Sequence, residues 1–244
     1  MSHYYTKQGD AMHYVPMKTN PNRTRPTRVS DAKELGLLPS VTTILDSLAK
    51  PAIVNWKVDK AFDTAFQYSP EDFDNLNEYK FYVKGRLEEE LNKAPEAGTD
   101  VHQSLENYFL GEEYPEEHQK IIDNVLAVLP ENQVWVPEER TVHQNGFAGT
   151  CDLHSDEWVI DFKTKQFKEK FKKGRMAYPD HSRQLAAYRE SFGIPKAKCA
   201  NIFICIETGE VDFHVHKEED LRKGWKVFQH ALAIWQINNY DASF

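Results

Sequence analysis

Between residues 133 and 165 the chain divides into three short segments, about 133–142, 147–154 and 157–165, each rich in Val, Ile, Trp, Phe and Thr. Asn145-Gly146 and Ser155-Asp156 separate them. Joins this short leave no room for a crossover, so the segments are expected to fold back on one another as an antiparallel meander. The third segment also alternates. In Trp158-Val159-Ile160-Asp161-Phe162-Lys163-Thr164, Asp161 and Lys163 fall on one face of a strand, while Ile160 and Phe162 fall on the other.

The flanks read differently. Helical patterns run through about 52–68, 71–92, 96–110 and 115–129, preceded by a helix entered near Leu38-Pro39-Ser40, where Ser40 can cap the amides ahead of Val41-Thr42-Thr43-Ile44-Leu45. After the meander come a helix at about 180–192, stopped by Gly193 and Pro195, strands at about 198–206 and 210–216, and an amphipathic helix at about 218–237. Residues 1–38, with prolines and arginines but little periodicity, are expected to form an arm or irregular cap. The remainder, 39–244, reads as one α/β domain with a helical part at 39–130 and a sheet core flanked by helices at 131–244.

A chain of 244 residues can bury a substantial core. No apolar run is long enough to cross a bilayer, so no membrane contact is expected. The start Met1-Ser2-His3-Tyr4-Tyr5 lacks a secretory pattern, and the three cysteines, Cys151, Cys199 and Cys205, cannot all pair. A reducing, cytoplasmic setting is expected. The net charge of -8 speaks against general attraction to nucleic acid and directs attention to local patches. One such patch runs from Lys163 to Arg175, with seven basic residues against the single acid Glu169; Arg23, Arg25 and Arg28 form a smaller one. A charge run alone reads first as a solvated surface; what favours DNA contact for the longer run is its start at Lys163.

An Asp-x-Lys triplet is weak evidence by itself, since Asp31-Ala32-Lys33 repeats the spacing where no strand pattern exists. The strand before it adds Asp152, which the turn at Ser155-Asp156 folds back beside Asp161. Two carboxylates brought together need a cation, and oxygen ligands suit magnesium or manganese. Upstream, His102 lies near the start of a helix with Glu106 on the same face, and downstream Gln184 and Tyr188 stand one helical turn apart.

Taken in order, Gly98 to His102, Gly149 to Asp152, Asp161 to Lys163 and Gln184 to Tyr188 form a pattern that resembles the RecB-like branch of the PD-(D/E)XK nucleases. Pro39 to Leu45 is similar to the entry of that domain in phage exonucleases and in mitochondrial genome maintenance exonucleases. The matches span about residues 39–190. The resemblance implies a restriction-endonuclease-like core, a mixed sheet flanked by helices, with a helical N-terminal extension. It implies Mg2+ or Mn2+ held by His102, Asp152, Asp161 and the backbone carbonyl of Phe162, with Glu139 preferred over Glu138 as a further carboxylate. Histidine among the ligands favours manganese as a substitute for magnesium.

The resemblance makes Lys163 catalytic together with Asp161 and Asp152, and gives Gln184 and Tyr188 a role in supporting the site or touching DNA. Beside two carboxylates, Lys163 should stay charged and stabilise the phosphate rather than act as a base. Thr42, Thr43, Lys165, Lys168, Lys170, Lys172, Lys173 and Arg175 are the further expected DNA contacts. Iron–sulfur relatives use four cysteines, which this chain lacks, so no such cluster is expected. The implied activity is a metal-dependent exonuclease acting on single-stranded or duplex DNA ends in recombination or replication, with a partner protein from those processes and a phage origin, hence the host cytoplasm. A structure-specific endonuclease and a noncatalytic DNA-binding protein on the same fold are the alternatives, and His214 with His216 raises a weaker zinc reading.

Overall fold

A computed structural model describes residues 3–240, apart from the side chains of residues 52 and 90–97. Its centre is a five-stranded mixed sheet. β5 (Val136–His143), β6 (Phe147–His154) and β7 (Trp158–Lys165) form the expected antiparallel meander, and β8 (Lys198–Cys205) and β9 (Val211–Val215) complete the order β5-β6-β7-β8-β9. β8 runs parallel to β7, which requires a crossover; α6 (Pro179–Ser191) supplies it. β9 returns antiparallel to β8.

Helices cover both faces of the sheet. On one, α2 (Val41–Leu45), α6 and α7 (Glu218–Tyr240) bury Ile44, Leu185, Phe228 and Trp235 against Phe147, Cys151 and Val159. On the other, the C-terminal part of α4 (Leu76–Leu110) and α5 (Gln119–Leu126) pack Val101, Leu105 and Ile122 onto Ile160, Phe162 and Ile202. The alternation read from β7 is thus realised: Val159 and Ile160 enter opposite cores. With both faces covered, β8 is apolar nearly throughout, as a doubly buried strand must be.

The N-terminal segment, expected as an arm or irregular cap, is built of short elements packed on the core. β1 (Tyr4–Tyr5) pairs with β4 (Leu38–Pro39), β2 (Tyr14–Met17) pairs with β3 (Asn20–Pro26), and α1 (Val29–Leu35) follows. Tyr4 and Tyr5 are buried, with Tyr4 in the core that contains Trp235. Two-residue strands carry no periodicity, and the partner of β1 lies far along the chain, so local pattern could not reveal them. The patterns at 71–92 and 96–110 join in the single helix α4, which starts later than expected because Ser69 and Asn75 cap separate turns. Pro95 removes one backbone donor without dividing it. α3 (Pro51–Phe66) precedes it as a largely exposed helix. Ser40 caps α2 as expected, accepting the Thr43 N–H. Among the described residues no helix is long and apolar enough to cross a membrane.

Candidate active site

Three elements carry the acidic cluster. β6 and β7 pair at Leu153–Ile160 and His154–Val159. One step further, the Phe162 N–H is donated to Asp152 Oδ2 at 2.7 Å, so a side chain takes over from the ladder and Asp152 is drawn between the strands. α4 crosses this end of the sheet closely. A Cβ at Gly98 would stand 2.6 Å from Thr164 Oγ1, which explains a glycine one turn before His102. His102 Nδ1 then lies 3.6 Å from Asp152 Oδ2, and its ring meets Phe162 edge-on at 5.9 Å.

Asp161 is the most enclosed member, with 1% exposure. Lys163 Nζ lies 2.8 Å from its Oδ1 and 2.7 Å from its Oδ2. Gln184 Nε2, from α6, donates to Oδ1 at 2.8 Å, and Asn201 Nδ2, from β8, donates to Oδ2 at 2.6 Å. Burial pushes the Asp161 carboxyl upward, opposed by Lys163 and reinforced by Asp152. For Lys163, burial pulls the ammonium down, but Asp161 and Asp152 outweigh it and hold the pKa above the ordinary lysine range. Lys163 is therefore a cation at neutral pH.

Of the two adjacent glutamates, the structure brings Glu138 rather than Glu139 to this cluster. The pairs Pro137–Leu153 and Glu139–Cys151 bracket Glu138 and Asp152. Glu138 has φ of 45°, a left-handed conformation that strict alternation does not anticipate. Burial first, then Asp152, Glu106 and Asp161, push its carboxyl up to about 8. Glu139 instead engages His154, which stacks on Phe192.

Other expected contacts divide by burial. Thr43 is buried, its hydroxyl occupied by the His3 backbone and by Ser40, so it anchors the segment leading into β1 and is not open to a ligand. Thr42 is exposed. Tyr188 is buried in the core beneath Gly149, where a Cβ would meet its ring at 2.7 Å. Burial lifts its phenol well above the usual range against a hydrogen bond with Gln184. Lys168, Lys170, Lys172, Lys173 and Arg175 are exposed, and Lys165 is half-buried. The loop carrying them is tied back where Lys168 N–H donates to Glu207 and Gly174 N–H to Asp212.

No protein-family model matches this chain, and no curated protein matches it. A solved structure titled "Crystal structure of SSO0001" is similar over 46% of this chain and 55% of that one, at 17% identity and TM-score 0.30. The match thus spans about half the length of that protein.

Two residues that the sequence reading did not single out for this site prove to belong to it. Asn201 holds Asp161, and His216 Nε2 holds Asn201 Oδ1 at 2.7 Å. His216 is therefore engaged in this chain, and its neighbour His214 meets it edge-on at 4.8 Å. The signal for Asn201 was present: it is a polar residue within the apolar run Cys199–Cys205. His181, one turn before Gln184, adds a third neighbour. Its Nδ1 accepts the Tyr178 N–H at 3.1 Å, and burial pulls its pKa to about 4.

The donor set has the chemistry of a hard-cation site. Asp152 and Asp161 bring carboxylates near the His102 imidazole, and Glu138 adds a carboxyl that burial first, and the neighbouring acids second, push up to about 8. Among the described residues, no three His, Cys, Asp or Glu side chains already converge at ligand geometry.

Proposed function

We propose that the chain is a divalent-metal-dependent deoxyribonuclease of the PD-(D/E)XK type, trimming DNA ends during recombination or replication. One observation carries this reading: His102 lies 3.6 Å from Asp152, Lys163 lies 2.8 Å from Asp161, and the N–H of Phe162, next to Asp161, donates to Asp152 at 2.7 Å, so that α4, β6 and β7 bring these side chains to the same end of the sheet. The order helix, three strands, helix, strand also accords with the restriction-endonuclease-like core that the resemblance implies.

His102, Asp152, Asp161 and Glu138 are the groups that would hold Mg2+ or Mn2+. A bound divalent cation supplies stabilisation of the negative charge that builds on phosphoryl oxygens during hydrolysis. Lys163 contributes a second, fixed positive charge on the same side. Its side chain keeps 31% exposure, enough to turn from Asp161 toward a phosphate oxygen. Gln184 and Asn201 keep Asp161 oriented while Lys163 turns. The exposed run from Lys168 to Arg175 continues from the end of β7, and its cations can follow the backbone of a strand leading into the cluster.

The test is a magnesium and manganese titration with end-labelled linear DNA beside covalently closed circular DNA. The reading expects metal-dependent digestion of the linear form with closed circles left intact. Cleavage of closed circles would make it an endonuclease, and no cleavage with either metal would end the nuclease reading.

A further inference from the structure

Asp161 is held from outside its own strand by a chain of side chains. β8 lies parallel to β7 with Asn201 in register opposite Asp161. Asn201 is fully buried, and all its polar atoms are accounted for. Its Nδ2 donates to Asp161 Oδ2 at 2.6 Å and to the Asp161 carbonyl at 3.2 Å, while its Oδ1 receives His216 Nε2 at 2.7 Å. Because a carboxylate can only accept, the amide nitrogen must face Asp161 and the amide oxygen must face His216. That orientation assigns the imidazole proton to Nε2. The backbone fixes the far end, since His216 N–H donates to the Cys199 carbonyl at 2.9 Å.

A strand buried on both faces gains nothing in stability from an asparagine that a valine or leucine would not supply more simply, because sealed polar groups stabilise only when fully bonded. Asn201 is fully bonded, and what it bonds is the carboxylate at the centre of the acidic cluster. We propose that Asn201 and His216 are positioning residues, which fix the plane of the Asp161 carboxylate so that it meets a divalent cation and the scissile phosphate in the correct orientation. This inference rests on the nuclease reading. His216 reaches Asp161 only through Asn201.

Long-range 15N–1H correlation spectra of the full chain without metal test the hydrogen-bond chain apart from activity. His216 is expected as the Nε2–H tautomer, and Asn201→Leu should abolish that preference. Single-turnover cleavage with Mn2+ and end-labelled DNA tests the role. His216→Ala should lower the rate by about 10- to 100-fold, the range typical of residues that orient metal ligands, with DNA affinity unchanged and a thermal midpoint lowered only by the cost of an unbonded Asn201 Oδ1, so that the protein is folded at the assay temperature. His216→Gln, whose amide nitrogen stands where Nε2 stood, should recover most of the rate, and His216→Asn, which cannot reach, should not. The proposal falls if the spectra show the Nδ1–H tautomer, if folded His216→Ala cleaves like the wild type, or if the Gln and Asn variants are equally impaired. An Nε2–H tautomer in a wild-type protein inert with both metals would instead overturn the nuclease reading, and with it the catalytic meaning of the chain.

Discussion

Replacing Gly149 by alanine introduces a single methyl group at the most crowded point beneath the site. The new Cβ would stand 2.7 Å from Tyr188 Cε1 and 3.4 Å from both the Tyr188 hydroxyl and Val41 Cγ2. An ordinary contact begins near 3.4 Å, so the ring has to retreat by about 0.7 Å, and a ring packed into a full core has no easy direction to take. Overpacking of this kind costs about 1–3 kcal/mol, which for a chain of this size lowers the unfolding midpoint by roughly 2–12 °C. The displacement also passes through Gln184 to Asp161 Oδ1, so cleavage should fall, by up to about 100-fold if the carboxylate shifts appreciably. A double-mutant cycle with Tyr188→Leu, read by chemical denaturation, isolates the cause. Removing the ring should relieve the alanine and give a coupling of about 0.5–3 kcal/mol. The reasoning fails if Gly149→Ala is as stable as the wild type, or if the two changes simply add.

Glu138→Gln should stabilise the metal-free protein at pH 8 while impairing metal-dependent cleavage. Glu138 is held protonated up to about 8 in the fold but ionises near 4.5 when unfolded, so its favourable contribution is complete below 4.5 and is lost as the pH rises to 8. After allowance for partial solvent screening, the gain for glutamine at pH 8 is about 1–2 kcal/mol, measurable by denaturation at pH 5 and pH 8; an unchanged pH slope would remove Glu138 from the cluster. Replacing Lys168, Lys170, Lys172 and Lys173 together by glutamine should weaken DNA binding and reduce the dependence of log affinity on log salt by about 2–4 units, leaving turnover at saturating DNA unchanged. Filter-binding titrations across salt concentrations would detect this, and an unaltered slope would place the run away from DNA.

The meander and the facing of Asp161 with Lys163 were legible because they depend on local spacing: short joins enforce antiparallel return, and period two sorts side chains by face. The same rule could not choose between Glu138 and Glu139, since a left-handed residue breaks the alternation on which the choice depends. Asn201 and His216 were harder still. They join Asp161 only because β8 pairs with β7 across a helical crossover, and register across a crossover is not written in neighbouring residues. Tyr188 and Thr43 match motif positions but are spent on packing and on anchoring β1, so a match in sequence carried no information about which way each side chain is used. The buried tyrosines of β1 show the opposite limit, a core contribution hidden in a segment without pattern.

Whether Asp152 and Lys163 serve one catalytic centre can be measured directly by single-turnover cleavage in Mn2+ with Asp152→Asn, Lys163→Ala and the double variant, all at saturating DNA. Residues that act as a unit give grossly non-additive losses, so each single change should abolish most of the rate and the double variant should be scarcely slower than either. Losses that multiply, or a Lys163→Ala protein that still cleaves at close to the wild-type rate, would contradict a single site built from β6 and β7.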